Sequence, residues 1–212
     1  MNDDYVDWEQ LYRDDFKPWD IKRPDSHLIR IVKKTPVPPG RMLEIGCGTG
    51  TNAIWLAEQG FAVTATDMSD TALRQALAKP GAERCTFIHA DFLKDPLPGP
   101  DFGFVFDLGC LHGFARHDDR VLFARKVAEC LAEKGLWFSI IGSADGPEMG
   151  PPRRSASDIT SAVEPCFEII SLTATIMDEP NEDDREALGL PAGYRPPAWT
   201  CLMRKRSPVA AE

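Results

Sequence analysis

The sequence predicts an α/β protein built on one largely parallel sheet with helices on both faces, and three observations carry that prediction. From residue 41 to residue 142, short β-branched and aromatic runs alternate with helix-length amphipathic segments, the pattern of parallel strands joined by crossover helices. The first of these strands runs into three glycines at alternate positions, Gly46, Gly48 and Gly50, and a helical apolar stripe follows at once. The 212 residues can bury one substantial core and leave little for a second, so one domain is expected.

The elements follow in order. In DDYVDWEQLYRDDFKPWDIKRPDS a helix-forming stretch is brought to a halt by Pro18 and Pro24, which makes the segment a candidate lid. HLIRIVKK forms a second helix and leads through the proline-rich turn TPVPPG into the strand MLEIG. Ala53, Ile54, Leu56 and Ala57 supply the apolar face of the next helix, and Gly60 is placed to end it. FAVTATD is a β-branched strand closing on Asp67, and a helix covers residues 70–79. CTFIHAD and FGFVFDLG are strands, DDRVLFARKVAECLAEKG is a long helix and LWFSIIG is the fifth strand. After the loop SADGPEMGPPRR, a short helix near residues 156–164 precedes two more strands, FEIISLTATIM and AWTCLMRK. The linker between those two, DEPNEDDREALGLPAGYRPP, is long, acidic and proline-rich, so it covers a site or is mobile.

Composition narrows the function. A formal net charge of -9 argues against a nucleic-acid partner, because binding a phosphate backbone rests on clustered Lys and Arg. Six cysteines, at positions 47, 85, 110, 130, 166 and 201, never come closer than 20 residues, so no CxxC pair exists and reduced core thiols are expected. CLHGFARH gathers Cys110, His112 and His117 without a second ligand pair, and no metal site is expected. No apolar run reaches the ~18 residues of a membrane span, and the first ten residues are acidic where a signal peptide is basic and then apolar. A cytoplasmic protein without a membrane partner is the expectation. The oligomeric state is not legible.

Glycine lets a ligand lie against the main chain and tolerates positive φ, so the stretch RMLEIGCGTG reads as a binding turn. Asp67 lies 17 residues beyond Gly50, close to the spacing of ~20 at which an acid on the second strand meets ribose hydroxyls. A dinucleotide motif needs GxGxxG, but here Thr51 stands where the third glycine belongs. A P-loop needs GxxxxGK, and no lysine follows in the helix.

The ExGxGxG form of LEIGCGTG, with Asp67 ending the second strand, HADF after the third and DLGCLH after the fourth, resembles the class I S-adenosylmethionine-dependent methyltransferases over residues 40–142. WEQLYRDDFKPWDIKRP and FDLGCLHGFARHDDR resemble the branch that holds thiopurine and thiol S-methyltransferases, halide methyltransferases and tellurite-resistance methyltransferases. Thiopurine enzymes carry Arg after the strand-four Asp, whereas this chain has Leu108, which removes a salt link to an anionic acceptor at that position. The resemblance implies a Rossmann-like, doubly wound, mostly parallel seven-stranded sheet with an antiparallel last strand and an N-terminal helical lid. It implies an organisation of lid over residues 1–39, cofactor-binding core over 40–142, and C-terminal strands with acceptor-side loops over 143–212. It further implies S-adenosylmethionine as cofactor, S-adenosylhomocysteine as product of methyl transfer, and a small-molecule acceptor, with sulfur or another soft nucleophile favoured.

Carried over residue by residue, the turn at Gly46, Cys47, Gly48 and Gly50 approaches the methionine portion, Asp67 takes the ribose hydroxyls and Met68 lies against adenine. Asp91 reads the adenine amino edge, Phe92 stacks on the ring, and Trp19 offers its face to the sulfonium. Leu108 completes the cofactor-binding set at the end of the fourth strand. Charge supports this independently: the sulfonium is a cation without phosphate, and the turn lacks Lys and Arg while Glu44, Asp67, Asp91 and Asp107 flank it. Several structural readings stand beside these. Asp67 and Asp91 could cap or turn the chain, Phe92 could be core, Trp8 and Trp19 could pin the N-terminal helix, and Cys47 and Cys110 could be small apolar fillers. His112, just past the fourth strand, is the candidate to receive an acceptor's proton, or else a wall of the pocket. Two other functions stay open: intramolecular displacement within the cofactor, giving cyclisation, and a non-enzymatic or nicotinamide-binding protein of the same fold.

Overall fold

The computed structural model describes residues 6–35, 37, 39–96, 98–146 and 152–207. Residues 36 and 38 of the proline-rich turn, and residues 147–151 of the loop after the fifth strand, lie outside the described residues. The chain runs α1 (Trp8–Arg13), α2 (Ser26–Lys34), β1 (Arg41–Ile45), α3 (Thr51–Glu58), β2 (Ala62–Asp67), α4 (Asp70–Leu77), β3 (Cys85–His89) and β4 (Phe102–Leu108). It continues with α5 (Cys110–Gly113), α6 (His117–Cys130), β5 (Leu131–Gly142), α7 (Ala156–Val163), β6 (Phe167–Ile176), α8 (Glu182–Ala187) and β7 (Pro197–Lys205).

The strands make one sheet in the order β3-β2-β1-β4-β5-β7-β6. β1 to β5 pair in parallel, and β7 lies antiparallel between β5 and β6, as expected. The order reverses between β1 and β4, the switch point outside whose carboxyl edge such sheets bind ligands. Alternation along each strand sorts side chains to two apolar layers. Met42, Val63, Ala65, Phe104 and Phe106 meet Leu28 of α2, Ala53 and Leu56 of α3 and Leu73 of α4 on one face. Leu43, Ile45 and Val105 meet Phe123 and Val127 of α6 and Ile159 of α7 on the other.

Two expectations about elements are corrected. The long helix stops at Cys130 rather than running to Gly135, because Leu131 pairs with Phe102 and the ladder then skips to Leu136 opposite Phe104. Lys134, at φ 60°, turns the intervening residues out of the ladder. The acidic linker also holds a helix of its own, α8, capped by the Asn181 side chain accepting from the Asp184 amide.

The N-terminal segment is tied down at both ends. Glu9 on α1 accepts from the Ser69 hydroxyl at 2.6 Å, the Thr71 hydroxyl at 2.7 Å and the Thr71 amide at 3.1 Å, so it caps the first turn of α4 from outside. Those donors, the Ser69 hydroxyl foremost, hold the Glu9 carboxyl at about 2. Asp178, which opens the linker, accepts from the Ser26 amide at 2.9 Å and hydroxyl at 2.8 Å, and from Arg23 and Arg195 at 2.8 and 3.2 Å. Asp178→Ala strips a buried acceptor from these donors, and we expect it to lower stability by about 2–3 kcal/mol. Both arginines are substantially exposed, so the two Ser26 bonds carry most of that loss. Urea denaturation measures it; a loss within ~0.5 kcal/mol of zero would mean that water replaces the carboxylate freely.

Candidate active site

Why the turn after β1 needs so little side chain is visible in its geometry. Gly46, Gly48 and Gly50 have φ of 65°, 53° and 74°, the left-handed region that costs other residues energy. Space is limiting too. A Cβ on Gly46 would collide with Cys110 Sγ, and one on Gly48 would stand 2.5 Å from the Tyr12 hydroxyl. The turn is held by Cys47 N donating to the Thr66 carbonyl and by Gly50 N donating to the Cys47 carbonyl, each at 2.9 Å. Asp67, at the tip of β2, accepts from Gly48 N at 2.8 Å through one oxygen and from Ser69 N at 2.9 Å through the other. The two oxygens together keep lone-pair capacity beyond these amides.

Glu44 and Asp67 lie on the same sheet face, both buried. Burial pushes the Glu44 carboxyl up to about 8, and its Oε2 has no hydrogen-bond partner. Burial also raises Asp67, against the amides of Ser69, Gly48 and Met68. Asp107 was expected beside them and lies elsewhere. It shares the opposite face with Val105, is fully buried, and accepts from Trp137 Nε1 at 2.8 Å and from the Cys110 and Leu111 amides at 3.1 and 3.3 Å. Those bonds lower it, but burial dominates and lifts it to about 6. Asp107 therefore ties down the first amides of α5, while its neighbour Leu108 turns to the Glu44 side, packed against that apolar layer.

Folding also brings a cation that the local sequence hid. Lys79 Nζ donates to the Thr49 and Thr51 hydroxyls at 2.5 and 2.7 Å, on the outer side of the turn. A cavity of about 490 Å³ opens there, lined by Lys17, Asp20, Lys22 and Lys79, and Asp67 is not among its lining residues.

The remaining candidates divide. Trp19 sits edge-on to Trp8 and Tyr12, with ring centroids 5.3 and 5.8 Å apart, and its Nε1 donates to the Tyr12 hydroxyl at 2.9 Å. Tyr12 itself was missed. Its i,i+4 spacing from Trp8 on the N-terminal helix was the available signal. Met68 follows Asp67 in the loop before α4, its carbonyl accepting from His89 Nε2 at 2.9 Å. Asp91 turns back on its own loop, accepting from Leu93 N at 3.0 Å and Lys94 Nζ at 2.7 Å; burial opposes ionisation, but these donors leave it below the usual carboxylate range. Phe92 is buried edge-on against Phe123 at 5.3 Å, a core ring rather than an open stacking face. Cys47 is a buried thiol and Cys110 a half-buried one, both raised by desolvation, and Cys47 packs in the apolar layer on the Glu44 side.

His112 differs from its expected role. Its Nδ1 accepts from Gly142 N at 2.7 Å, and burial, reinforced by the Arg153 and Arg154 charges, holds its basicity down to about 3. A ring so placed is neutral at working pH and is a poor proton acceptor.

The turn and its acids fit a cationic, phosphate-free ligand: an unpartnered buried carboxylate oxygen on Glu44 and the Asp67 carboxylate stand at a glycine turn on the carboxyl edge of the sheet. Comparison with known proteins agrees. Residues 42–135 match the family described as a methyltransferase domain. The chain is 29% identical to a probable thiol methyltransferase 2 of Arabidopsis thaliana over 78% of its length and 75% of that protein's. It is 28% identical to a thiocyanate methyltransferase 1 of Brassica oleracea, covering 70% of this chain and 67% of the relative. Among solved structures, one described under "Conversion of a Disulfide Bond into a Thioacetal Group during Echinomycin Biosynthesis" superposes with a TM-score of 0.79 at 23% identity, covering 95% and 92% of the two chains. The N-methyltransferase NodS from Bradyrhizobium japonicum in complex with S-adenosyl-L-homocysteine gives 0.70 at 14%, covering 94% and 98%. The match to the methyltransferase domain spans residues 42–135, and over most of its length the chain is similar to S-adenosylmethionine-dependent methyltransferases. Within that class it is similar to plant thiol and thiocyanate enzymes.

Glu44 yields a pH signature. Its carboxyl titrates near 4.5 when unfolded and at about 8 when folded, so between those values the folded state holds the extra proton. Its contribution to stability therefore falls as pH rises through that window, by ~1.4 kcal/mol per pH unit. Glu44→Gln does not titrate, and its stability relative to the parent should improve between about pH 5 and pH 8 in urea denaturation. A difference that stays constant over that range would show the acid to be ionised throughout.

Proposed function

We propose that this methyltransferase acts on sulfur, or another soft nucleophile, of a small molecule. What supports the cofactor end is the Glu44 and Asp67 pair at the bare turn; what supports the acceptor is the similarity to thiol and thiocyanate methyltransferases. Bound S-adenosylmethionine supplies an already activated methyl group, so the protein's work is to place an acceptor behind that carbon in a dry pocket. In this reading the backbone of Gly46, Cys47, Gly48 and Gly50 faces the methionine portion, with Glu44 behind it. Asp67 takes the ribose hydroxyls with its spare lone pairs, and Met68 and Leu108 flank the base. Asp91 keeps an adenine contact through its loop.

The N-terminal segment is the cover. Tyr12 stands against Gly48, Trp19 is bonded to it, and Asp20 accepts from the Thr49 hydroxyl at 2.7 Å, so residues 8–25 meet the turn directly. We assign residues 1–39 as lid, 40–142 as cofactor-binding core and 143–212 as acceptor side. No described helix is long and apolar enough to cross a membrane, and the six free cysteines support a cytoplasmic setting.

Incubation with S-adenosylmethionine and a panel of thiols, thiocyanate, amines, phenols and halides, followed by mass measurement, should give an S-methylated product with stoichiometric S-adenosylhomocysteine. A cyclised fragment of the cofactor with no methylated acceptor would replace this reading by intramolecular displacement. Asp67→Ala should weaken cofactor binding in calorimetry by ~1.5–3 kcal/mol, the scale of hydrogen bonds to a charged group. An unchanged affinity would reassign Asp67 to holding the turn alone.

A further inference from the structure

The imidazole of His112 occupies a slot between two glycines. A Cβ at Gly109 would lie 3.4 Å from Cε1 and 3.7 Å from Nε2, and one at Gly142 would lie 3.5 Å from both Cε1 and Nδ1. The Gly142 amide donates to Nδ1, so Nδ1 carries the lone pair and the single proton of the neutral ring is on Nε2. A second proton on Nδ1 would set N–H against N–H. Nε2 makes no hydrogen bond with the described residues, and it stands where β4 and β5 end, on the carboxyl edge of the sheet.

The charges around this ring have a bias. Arg154 Nη2 donates to the Phe114 carbonyl at 2.5 Å, and Arg120 Nη1 donates to the carbonyls of Phe114 and Ala115 at 2.8 Å, so two buried guanidiniums meet at the turn that follows α5. Arg153 packs along Gly142, its Cγ 3.6 Å from the Cβ position there. Facing them are Asp158 of α7, 3.9 Å from Arg120, and Asp145, which accepts from the Ser143 hydroxyl. Asp107 of β4 is bound to Trp137 and the α5 amides, and Cys110 directs its Sγ to the Ile45 carbonyl at 3.2 Å.

We infer that His112 is a hydrogen-bond donor to the acceptor, its Nε2–H together with the Arg153 and Arg154 charges holding a sulfur nucleophile that is already an anion, and that no residue of this site removes a proton. This rests on the methyl-transfer reading. The acceptor's sulfur lone pair forms the bond to the methyl carbon, the bond from that carbon to the sulfonium sulfur breaks with its electrons going to that sulfur, and the two opposite charges cancel. No proton changes hands.

The test uses the whole protein with S-adenosylmethionine and two acceptors, thiocyanate, which is ionised throughout, and a simple alkyl thiol. With thiocyanate, kcat/KM should be flat from about pH 6 to 9; with the thiol it should climb with the thiol's own ionisation. His112→Gln, which keeps an N–H donor, should stay within about 5-fold of the parent, and His112→Phe should lose ~20-fold or more in kcat/KM, mainly through KM. Cofactor affinity should move in neither variant. A limb near the ordinary histidine value of ~6.5 that vanishes in His112→Gln, or equal losses in the two variants, would overturn the inference.

Nitrogen-15 spectra of His112 supply a readout free of turnover. In the S-adenosylhomocysteine complex the ring should stay the neutral Nε2–H form from about pH 5 to 9, and Nε2 should shift when thiocyanate is added. No shift at saturating thiocyanate overturns the anion contact. A shift without methylation by the intact enzyme leaves the contact standing and overturns the methyl-transfer reading instead.

Discussion

The Asp67 carboxylate is the interaction on which the rest of the site depends. One oxygen receives the Gly48 amide and the other the Ser69 amide, so the tip of β2, the glycine turn after β1 and the start of α4 share a single anchor. Once Gly48 is fixed there, its missing Cβ becomes the floor on which the Tyr12 hydroxyl rests, and Tyr12 in turn receives Trp19. Glu9 reaches the same start of α4 from α1, through Ser69 and Thr71. The N-terminal cover and the turn it covers are thus mounted on one carboxylate-to-amide joint, and a displacement of either is felt by the other.

The electrostatics of the two sheet faces are kept apart by strand alternation. Glu44 and Asp67 stand on the face of α3 and α4, where desolvation raises both against the weaker pull of Lys79 on Glu44 and of His89 on Asp67. Asp107 stands on the opposite face, where it orders α5 through two backbone amides. A cation brought to the first face relieves a cost the folded protein already carries, since two buried acids close to one another resist ionising together. The edge at His112 has the contrary sign: three arginines gather near it, and the imidazole is kept neutral beside them. On the proposed reading, negative potential beside the glycine turn and positive potential beside His112 suit a reaction in which a sulfonium meets an anion and both charges vanish.

The order of strands and helices, the glycine turn and the acid that closes β2 were determined by the sequence alone, because hydrophobic period, glycine spacing and β-branched runs act within a few residues of one another. That Asp107 and Leu108 face opposite sides follows from strand alternation, although the sequence reading set both beside the turn. What only the tertiary structure decided are contacts between segments far apart in the chain. Tyr12 lies over Gly48, Lys79 reaches Thr49 and Thr51, Asp178 collects Ser26, and Gly142 donates to His112 across 30 residues. A histidine just past a strand end reads as a base from composition. Which of its nitrogens carries the proton depends on a backbone amide that only the packing of β5 beside β4 brings within 2.7 Å.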